Sequence, residues 1–314
     1  MSSLLFTAQV VAPVFIIVLI GVLLQHRGVI NESFNSTASH IVFRVTLPAL
    51  VFQNIAASSF DRVFSGKLIL FIVICATIMF SLATLISIPL TRNGRDQGAF
   101  IQGSSRSNYA IIGSALIHNA FGDSGLAIAA IVLALIMPFY NIYSILALSL
   151  PMHKEKSLTF SKTMLDIVTN PLIIAAVLAL PFSIFTIPLH PIIIRAIGYL
   201  ANLTLPLALL AIGGRLTFHS LRKDFRLAVA AAFNKLFFMP IVFTTAAVLL
   251  GFRGAQLGAA FFLFAAPTAV ASFPMAEAMG SNGRLAGNIV LVTTLVSVLT
   301  ISIGVYVLKS LNYF

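Results

Sequence analysis

The sequence predicts an all-α integral membrane protein of about ten transmembrane helices, arranged as two inverted five-helix repeats with broken, crossing fourth and ninth helices. Composition, a series of long apolar runs, and a repeated pattern of Pro and Gly predict this fold. Hydrophobic residues make up 59% of the chain and charged residues 9%, and the mean hydropathy is +1.05. A soluble domain carries about 45–50% apolar and about 25% charged residues. We therefore expect lipid to surround most of the chain.

Apolar runs follow one another with short polar connections between them. They lie at 5–25, 37–58, 66–90, 97–120, 125–150, 163–184, 192–216, 225–250, 255–279 and 285–308. The longest polar connection, 152–162, leaves no room for an extramembrane domain. We predict a first five-helix repeat over 1–152, a cytoplasmic connection over 153–162, and a second, inverted repeat over 163–314. The first run lacks a basic segment and a cleavage site, so we expect a retained helix.

The net charge of +11 is carried by Lys and Arg residues between the apolar runs. In that position they indicate topology and not nucleic-acid binding. One side of the predicted membrane holds Arg27, Arg92, Arg95, Lys154, Lys156, Lys162, Arg215, Arg222, Lys223, Arg226 and Arg284, and the other holds Arg62, Lys67, Arg195, Arg253 and Lys309. The positive-inside rule places both termini outside the cytoplasm and 153–162 inside it. Cys75 is the single cysteine, so no disulfide within the chain is possible.

An internal repeat is indicated by residues that recur at one offset. Thr46-Leu47-Pro48 recurs as Thr204-Leu205-Pro206, which is 204 − 46 = 158 residues later. The same offset relates Pro13 to Pro171, Gly122 to Gly280 and Gly125 to Gly283. Pro and Gly set backbone geometry, so their agreement is informative. Because each unit contains five helices, the second must be inverted. Inverted repeats are typical of secondary transporters, whose substrate site lies near the midplane.

The fourth helix of each unit contains helix-breaking residues. The first copy has a Gly/Ser-rich stretch over 103–113, and the second has Pro267 and Pro274 within 265–274. Non-helical backbone at membrane depth is tolerated where it is buried in protein or lines a wet cavity. Each break exposes a half-helix N-terminus with partial positive charge, which favours an anion. Proline kinks packed against neighbouring helices are the structural alternative.

Four motifs in order resemble the auxin efflux carrier family and its bacterial members known as malate or malonate permeases. They are the second-helix stretch 48–56, Asn108 followed by Gly113, Asn170-Pro171, and Ala266-Pro267-Thr268. The resemblance covers essentially the whole chain. It implies ten helices, two of them broken and crossing, and a carboxylate held by the fourth-helix Asn and the ninth-helix N-terminus. The plant proteins have Pro where Ser107 stands, and Arg106 has no obvious plant counterpart.

The candidate site residues follow from these breaks and from polar residues within apolar runs. Lys235 lies about eight residues into its run. The sequence leaves two roles open for it, donation to a carbonyl freed by a broken helix and contact with the substrate. We expect Arg44 and Arg106 to extend towards the cytoplasmic surface. His118 and Glu277 occupy corresponding positions after the two breaks and are candidates for coupling or gating. The predicted substrate-binding residues are Asn108, Tyr109, Pro267, Thr268, Ala269, Asn54, Asn170 and Lys235.

These observations predict a secondary transporter of a small organic anion, an auxin-like monocarboxylate or a malate-like dicarboxylate, in the inner (plasma) membrane. The alternatives are a sodium-coupled symporter of a bulkier amphipathic anion, an anion channel, and a membrane-embedded receptor. Metal-ligand spacing and a P-loop are missing from the sequence, so we expect no enzyme, no metal site and no cofactor. The expected partners are the lipid bilayer and a small organic carboxylate, and no nucleic acid. The sequence leaves open a homodimer and coupling to H⁺ or Na⁺.

Overall fold

A computed structural model describes residues 3–57, 64–152, 169, 171–215 and 221–314. The described part is all-α, and its one β-type pairing is an isolated bridge. Its helices are α1 (Ser3–His26), α2 (Glu32–Ile41), α3 (Leu47–Ala56), α4 (Gly66–Leu90), α5 (Gly94–Ser105), α6 (Ser114–Ser149), α7 (Pro171–Ile184), α8 (Pro191–Gly214), α9 (Leu221–Phe233), α10 (Met239–Leu249), α11 (Gly254–Ala265), α12 (Ser272–Ala278) and α13 (Gly283–Ser310). The prediction of an all-α fold is confirmed for the described residues.

Three π-helical turns connect or precede helices within this series. Val42–Thr46 joins α2 to α3, Tyr109–Gly113 leads into α6, and Asn234–Phe238 joins α9 to α10. A π turn widens the helix by one residue and frequently marks a functional position. All three turns contain residues that the sequence singled out, namely Arg44, Tyr109 and Lys235.

Six helical segments of the described chain are long and apolar enough to cross a membrane, and two shorter apolar helices accompany them. Ten apolar runs give only six such segments for physical reasons. Helices α5 and α11 contain 12 residues each, and a helix of that length spans about 18 Å of a hydrocarbon layer about 30 Å thick. Helix α2 is polar, and part of the run 163–184 lies outside the described residues. The predicted boundary at 153–162 also lies outside them.

Helix α1 packs along α8 at a very short distance because glycines face each other there. A Cβ atom on Gly213 would collide with the backbone of Val18, and one on Gly21 with the backbone of Leu210. Small residues at helix–helix contacts allow close approach in membranes, where packing and not water exclusion drives association. This contact holds the α2–α3 segment, which packs on α8, beside the breaks.

Candidate functional site

The chain leaves the helical conformation at two places, directly after α5 and directly after α11. Arg106 and Ala266, the residues that follow these helices, have ψ angles of 116° and 144°. At Ala266 the cause is local, since the residue before a proline is biased towards extended backbone, and Pro267 also lacks an N–H donor. Both breaks lie where the sequence predicts them.

The two extended segments pair with each other in the interior of the molecule. Ser107 and Thr268 form an antiparallel bridge. The Asn108 N–H donates to the Pro267 carbonyl at 2.8 Å, and the Ala269 N–H donates to the Arg106 carbonyl at 3.1 Å. Backbone groups released by each break are thereby satisfied by the other, as a membrane interior requires. This pairing brings the two breaks into direct contact.

Thr268 fixes the pairing to the surrounding helices. Its side chain is fully buried, and its hydroxyl donates to the Gly103 carbonyl at 2.6 Å. Its backbone N–H donates to the Thr293 hydroxyl of α13 at 3.1 Å. Both donors of Thr268 therefore have protein partners, and the residue connects α5, the second break and α13.

A cavity of about 790 Å³ lies against the first break. Its buried part includes Arg106, Ser107, Asn108 and Ala269, and Ala110 and Ile111 of the following π turn also line it. Its exposed rim includes charged residues of several elements, namely Glu32, Arg44, Glu277 and Arg284. Apolar residues supply most of the remaining wall. A volume of this size and character is typical of small-molecule sites.

Several buried polar atoms around the first break have no hydrogen-bond partner in the described part of the chain. Among the residues that line the cavity, these are the Asn108 Nδ2 and the Ser107 Oγ at the break, and the Arg215 Nε beyond the end of α8 is a third such atom. Asn108 is 4% exposed. Buried polar groups in native proteins are almost always paired, so orphaned ones call for an explanation, and a functional role is one of these.

The structure places the predicted substrate-binding residues at different distances from this cavity. Asn108 and Ala269 line it, whereas Tyr109, Pro267 and Thr268 are their chain neighbours and do not. Tyr109 is 1% exposed, and its hydroxyl has no partner among the described residues.

Two of the other predicted substrate-binding residues, Asn54 and Lys235, do not line the cavity, and Asn170 lies outside the described residues. The Asn54 amide donates to the Leu50 carbonyl of its own helix at 2.8 Å, and Asn54 does not line the cavity. Asn170 lies outside the described residues, so its predicted role stays a prediction.

Lys235 is fully buried, and its ammonium group donates to the Phe264 carbonyl at 2.7 Å. In an uninterrupted helix the Thr268 N–H would reach that carbonyl, but it donates to Thr293 instead. Lys235 thus occupies the place of the missing helical donor. It does not line the cavity.

The two candidates for coupling or gating lie in different surroundings. Glu277 is exposed at the rim of the cavity, where its side chain packs against Gly283. The His118 Nδ1 lies 3.7 Å from the Asp123 Oδ1, and His118 does not line the cavity.

Arg106 lies differently from the expectation that it extends to the cytoplasmic surface. It is 9% exposed and lines the buried part of the cavity. Because α5 ends at Ser105, the residue belongs to the break and not to a helix end. The expectation is wrong because the Arg106 guanidinium donates to Ser144 and Asn141 of α6 and does not extend to the surface. Arg44 is exposed and lines the same cavity.

Comparisons with known proteins agree with this architecture. The family model described as membrane transport protein matches residues 6–305. The chain is similar to an uncharacterized transporter of Methanothermobacter thermautotrophicus, with 23% identity over 96% of this chain and 98% of that protein. An uncharacterized transporter of Methanocaldococcus jannaschii shows 22% identity over 96% of this chain and 98% of its own length. The chain is thus a multi-pass membrane protein of the membrane transport protein family, the family of the auxin efflux carriers that its motifs resemble.

Proposed function

We propose that this protein is a secondary transporter that carries a small organic anion by alternating access and binds it at the paired breaks. The observation that carries the proposal is the buried Asn108 amide: the residue lines the cavity, and its Nδ2 has no hydrogen-bond partner among the described residues. An amide N–H donor in that position suits a carboxylate oxygen, and a hydrogen bond to a charged group is worth about 1.5–3 kcal/mol.

The helix that follows the first break favours the same ligand. The helical segment beginning at Tyr109 continues into α6, and its first-turn residues Ala110 and Ile111 line the cavity. The first N–H groups of a helix lack intrahelical partners and carry partial positive charge. An anion in the cavity would therefore meet backbone donors as well as the Asn108 amide.

A ten-helix inverted repeat accounts for alternating access, and the helix ends support it. Helices α1 and α7 end at His26 and Ile184, and α3 and α8 end at Ala56 and Gly214, both 158 residues apart. The half-helices α5 and α11 have equal lengths and end 265 − 105 = 160 residues apart. Gly122 and Gly280, again 158 apart, both have positive φ angles. Corresponding elements in the two halves would let the cavity open to either side.

The charge distribution supports an orientation for this transporter. Arg215 and Arg284 at the cavity belong to the more basic side of the chain. By the positive-inside rule that side faces the cytoplasm. We propose an inner-membrane protein with both termini outside the cytoplasm and a cavity that is open to the cytoplasm in this conformation.

Substitution of Asn108 tests the proposed site. Asn108→Ala should weaken the binding of malonate, malate or indole-3-acetate, used as carboxylate probes, by about ten- to a hundredfold, because one charge-assisted hydrogen bond is lost. Asn119→Ala is the matched control, since the Asn119 amide donates to the Val10 carbonyl away from the cavity. Calorimetry on the purified proteins measures both affinities. An Asn108 variant that is folded and binds its probe as tightly as the wild type would contradict the assignment.

A further inference from the structure

The Arg106 guanidinium is a buried charge whose described hydrogen-bond partners are all neutral. One of its terminal nitrogens, Nη1, donates to the Ser144 hydroxyl at 3.0 Å and lies 3.0 Å from the Met275 sulfur. The other, Nη2, donates to the Asn141 amide oxygen at 3.3 Å. The ion pairs found in the described part of the chain are His118–Asp123 and Arg284–Asp224, and neither includes Arg106.

A guanidinium in this position is costly. Arginine stays protonated in proteins, so the charge cannot be removed by losing a proton. A buried charge is normally paired with an opposite charge, because polar neutral partners offset only part of the lost hydration. Glu32 and Glu277, the acidic residues that line the cavity, are exposed at its rim. Neither forms an ion pair with Arg106 in the described structure.

The position of Arg106 relative to Asn108 makes the charge available to a ligand. Both residues line the cavity. Arg106 has extended backbone, and Ser107, the bridge partner of Thr268, is the single residue between Arg106 and Asn108. A buried guanidinium and an unpartnered amide donor therefore belong to one three-residue segment that lines one cavity.

We propose that Arg106 is the counter-ion of the transported anion and that its guanidinium binds the same carboxylate group as the Asn108 amide. This inference rests on the proposed function and narrows it to ligands that present one ionised carboxylate to the buried end of the cavity. A guanidinium and a carboxylate form paired, parallel hydrogen bonds, whereas an uncharged amide of similar shape leaves the charge unpaired. The site therefore selects the ionised acid over its neutral derivative.

A different role for Arg106 is to hold the first break against α6 through Ser144 and Asn141. That role would affect folding and stability, and it would not distinguish a charged ligand from a neutral one. The ratio of the affinities for an acid and its amide separates the two roles.

The test compares malonate with malonamide in calorimetric titrations of the purified protein. Arg106→Gln should lower the affinity for malonate by at least about tenfold and reduce the preference for malonate over malonamide. Arg106→Lys keeps the charge but loses the fork, so it should retain that preference and bind malonate more weakly than the wild type. Arg195→Gln is the matched control, because Arg195 is exposed and does not line the cavity. It should bind malonate nearly as the wild type does.

Each possible result bears on the proposal. Unchanged malonate affinity in a folded Arg106→Gln protein would overturn the proposal. An equal loss of affinity in Arg195→Gln would overturn it as well, because it would show a diffuse effect of charge in place of a contact. If Arg106→Gln does not fold, Arg106→Lys decides, and wild-type affinity in that variant would overturn the inference. A wild type that binds none of malonate, malate and indole-3-acetate would overturn the proposed function, and the inference with it.

Discussion

At the residue scale, polar side chains around the two breaks lie in apolar surroundings for different reasons. The Asn108 amide donor is without a described partner, Thr268 is fully bonded to protein, and Lys235 is bonded to a single carbonyl. An intramembrane polar residue is a functional suspect by default. These hydrogen bonds distinguish Asn108, a candidate for ligand binding, from Thr268 and Lys235, which support the backbone at the second break.

Glu277 gives the first prediction at this scale. It lies exposed at the cavity rim, away from the buried residues around Asn108. Glu277→Gln should therefore leave malonate binding by the purified protein intact and alter at most the pH dependence of uptake. Titration of the folded variant with malonate at neutral pH measures this. Loss of binding would place Glu277 in the substrate or cation site.

The sequence predicts part of this site. Asn108 and the Pro267–Thr268 break could be identified from the sequence because Pro and Gly interrupt helices and Asn is polar, and such residues are easily recognised within apolar runs. The burial of Arg106 could not be predicted, since it depends on which residues of α6, far along the chain, surround the side chain. Asn54 was predicted to bind substrate, but its amide donates to a carbonyl of its own helix, and its polarity alone does not indicate this.

At the element scale, the helix breaks are local but their pairing is not. Pro267 predicts the end of α11, and the Gly/Ser stretch predicts the end of α5. The bridge between Ser107 and Thr268 joins residues that are 161 positions apart, so no local pattern indicates it. The π turns at 42–46 and 234–238 were likewise not predicted, because their sequences contain no Pro or Gly.

Lys235 gives a prediction about how the second break is stabilised. Lys235→Met keeps most of the length of the side chain but leaves the Phe264 carbonyl without its donor. A buried acceptor without a partner costs about 1–3 kcal/mol, so the variant should melt at a lower temperature. Malonate affinity in the folded variant should be unchanged, because Lys235 does not line the cavity.

Lys67→Met is the matched control for this effect. The Lys67 ammonium group also donates to a helix-end carbonyl, that of Leu250 at 2.6 Å, but the pair is exposed. Water can replace the lost donor there, so the melting temperature should change little. If Lys235→Met weakens malonate binding while its melting temperature stays at the wild-type value, Lys235 contacts the substrate.

At the scale of the whole molecule, composition predicts the membrane-spanning helices and the distribution of charge predicts their orientation. The apolar runs predict the positions of α1, α4, α8 and α13 to within a few residues, because lipid imposes a minimum length on each span. The proposed repeat relation between the two halves is less visible in the sequence, since only a few Pro and Gly residues indicate it. The matching helix ends supply stronger support for the repeat than those residues do.

The excess of Lys and Arg on one side predicts the topology. An alkaline phosphatase reporter fused near Glu155 should be inactive, because the enzyme does not mature in the cytoplasm, and one fused after Phe314 should be active. Phosphatase activity in whole cells, normalised to the amount of fusion protein, measures the difference. The reverse pattern would exchange the two sides of the membrane in the proposed mechanism.

The central claim, that this chain is an anion carrier with its site at the paired breaks, is tested most directly by counterflow in proteoliposomes. Vesicles containing the wild-type protein are loaded with unlabelled malonate and diluted into a trace of radiolabelled malonate, and malate and indole-3-acetate are examined in the same way. An anion carrier should show a transient, saturable accumulation of label for at least one of these acids, which Asn108→Ala diminishes and Asn119→Ala leaves intact. Flux that never saturates and shows no counterflow, or full counterflow with Asn108→Ala, would contradict the claim.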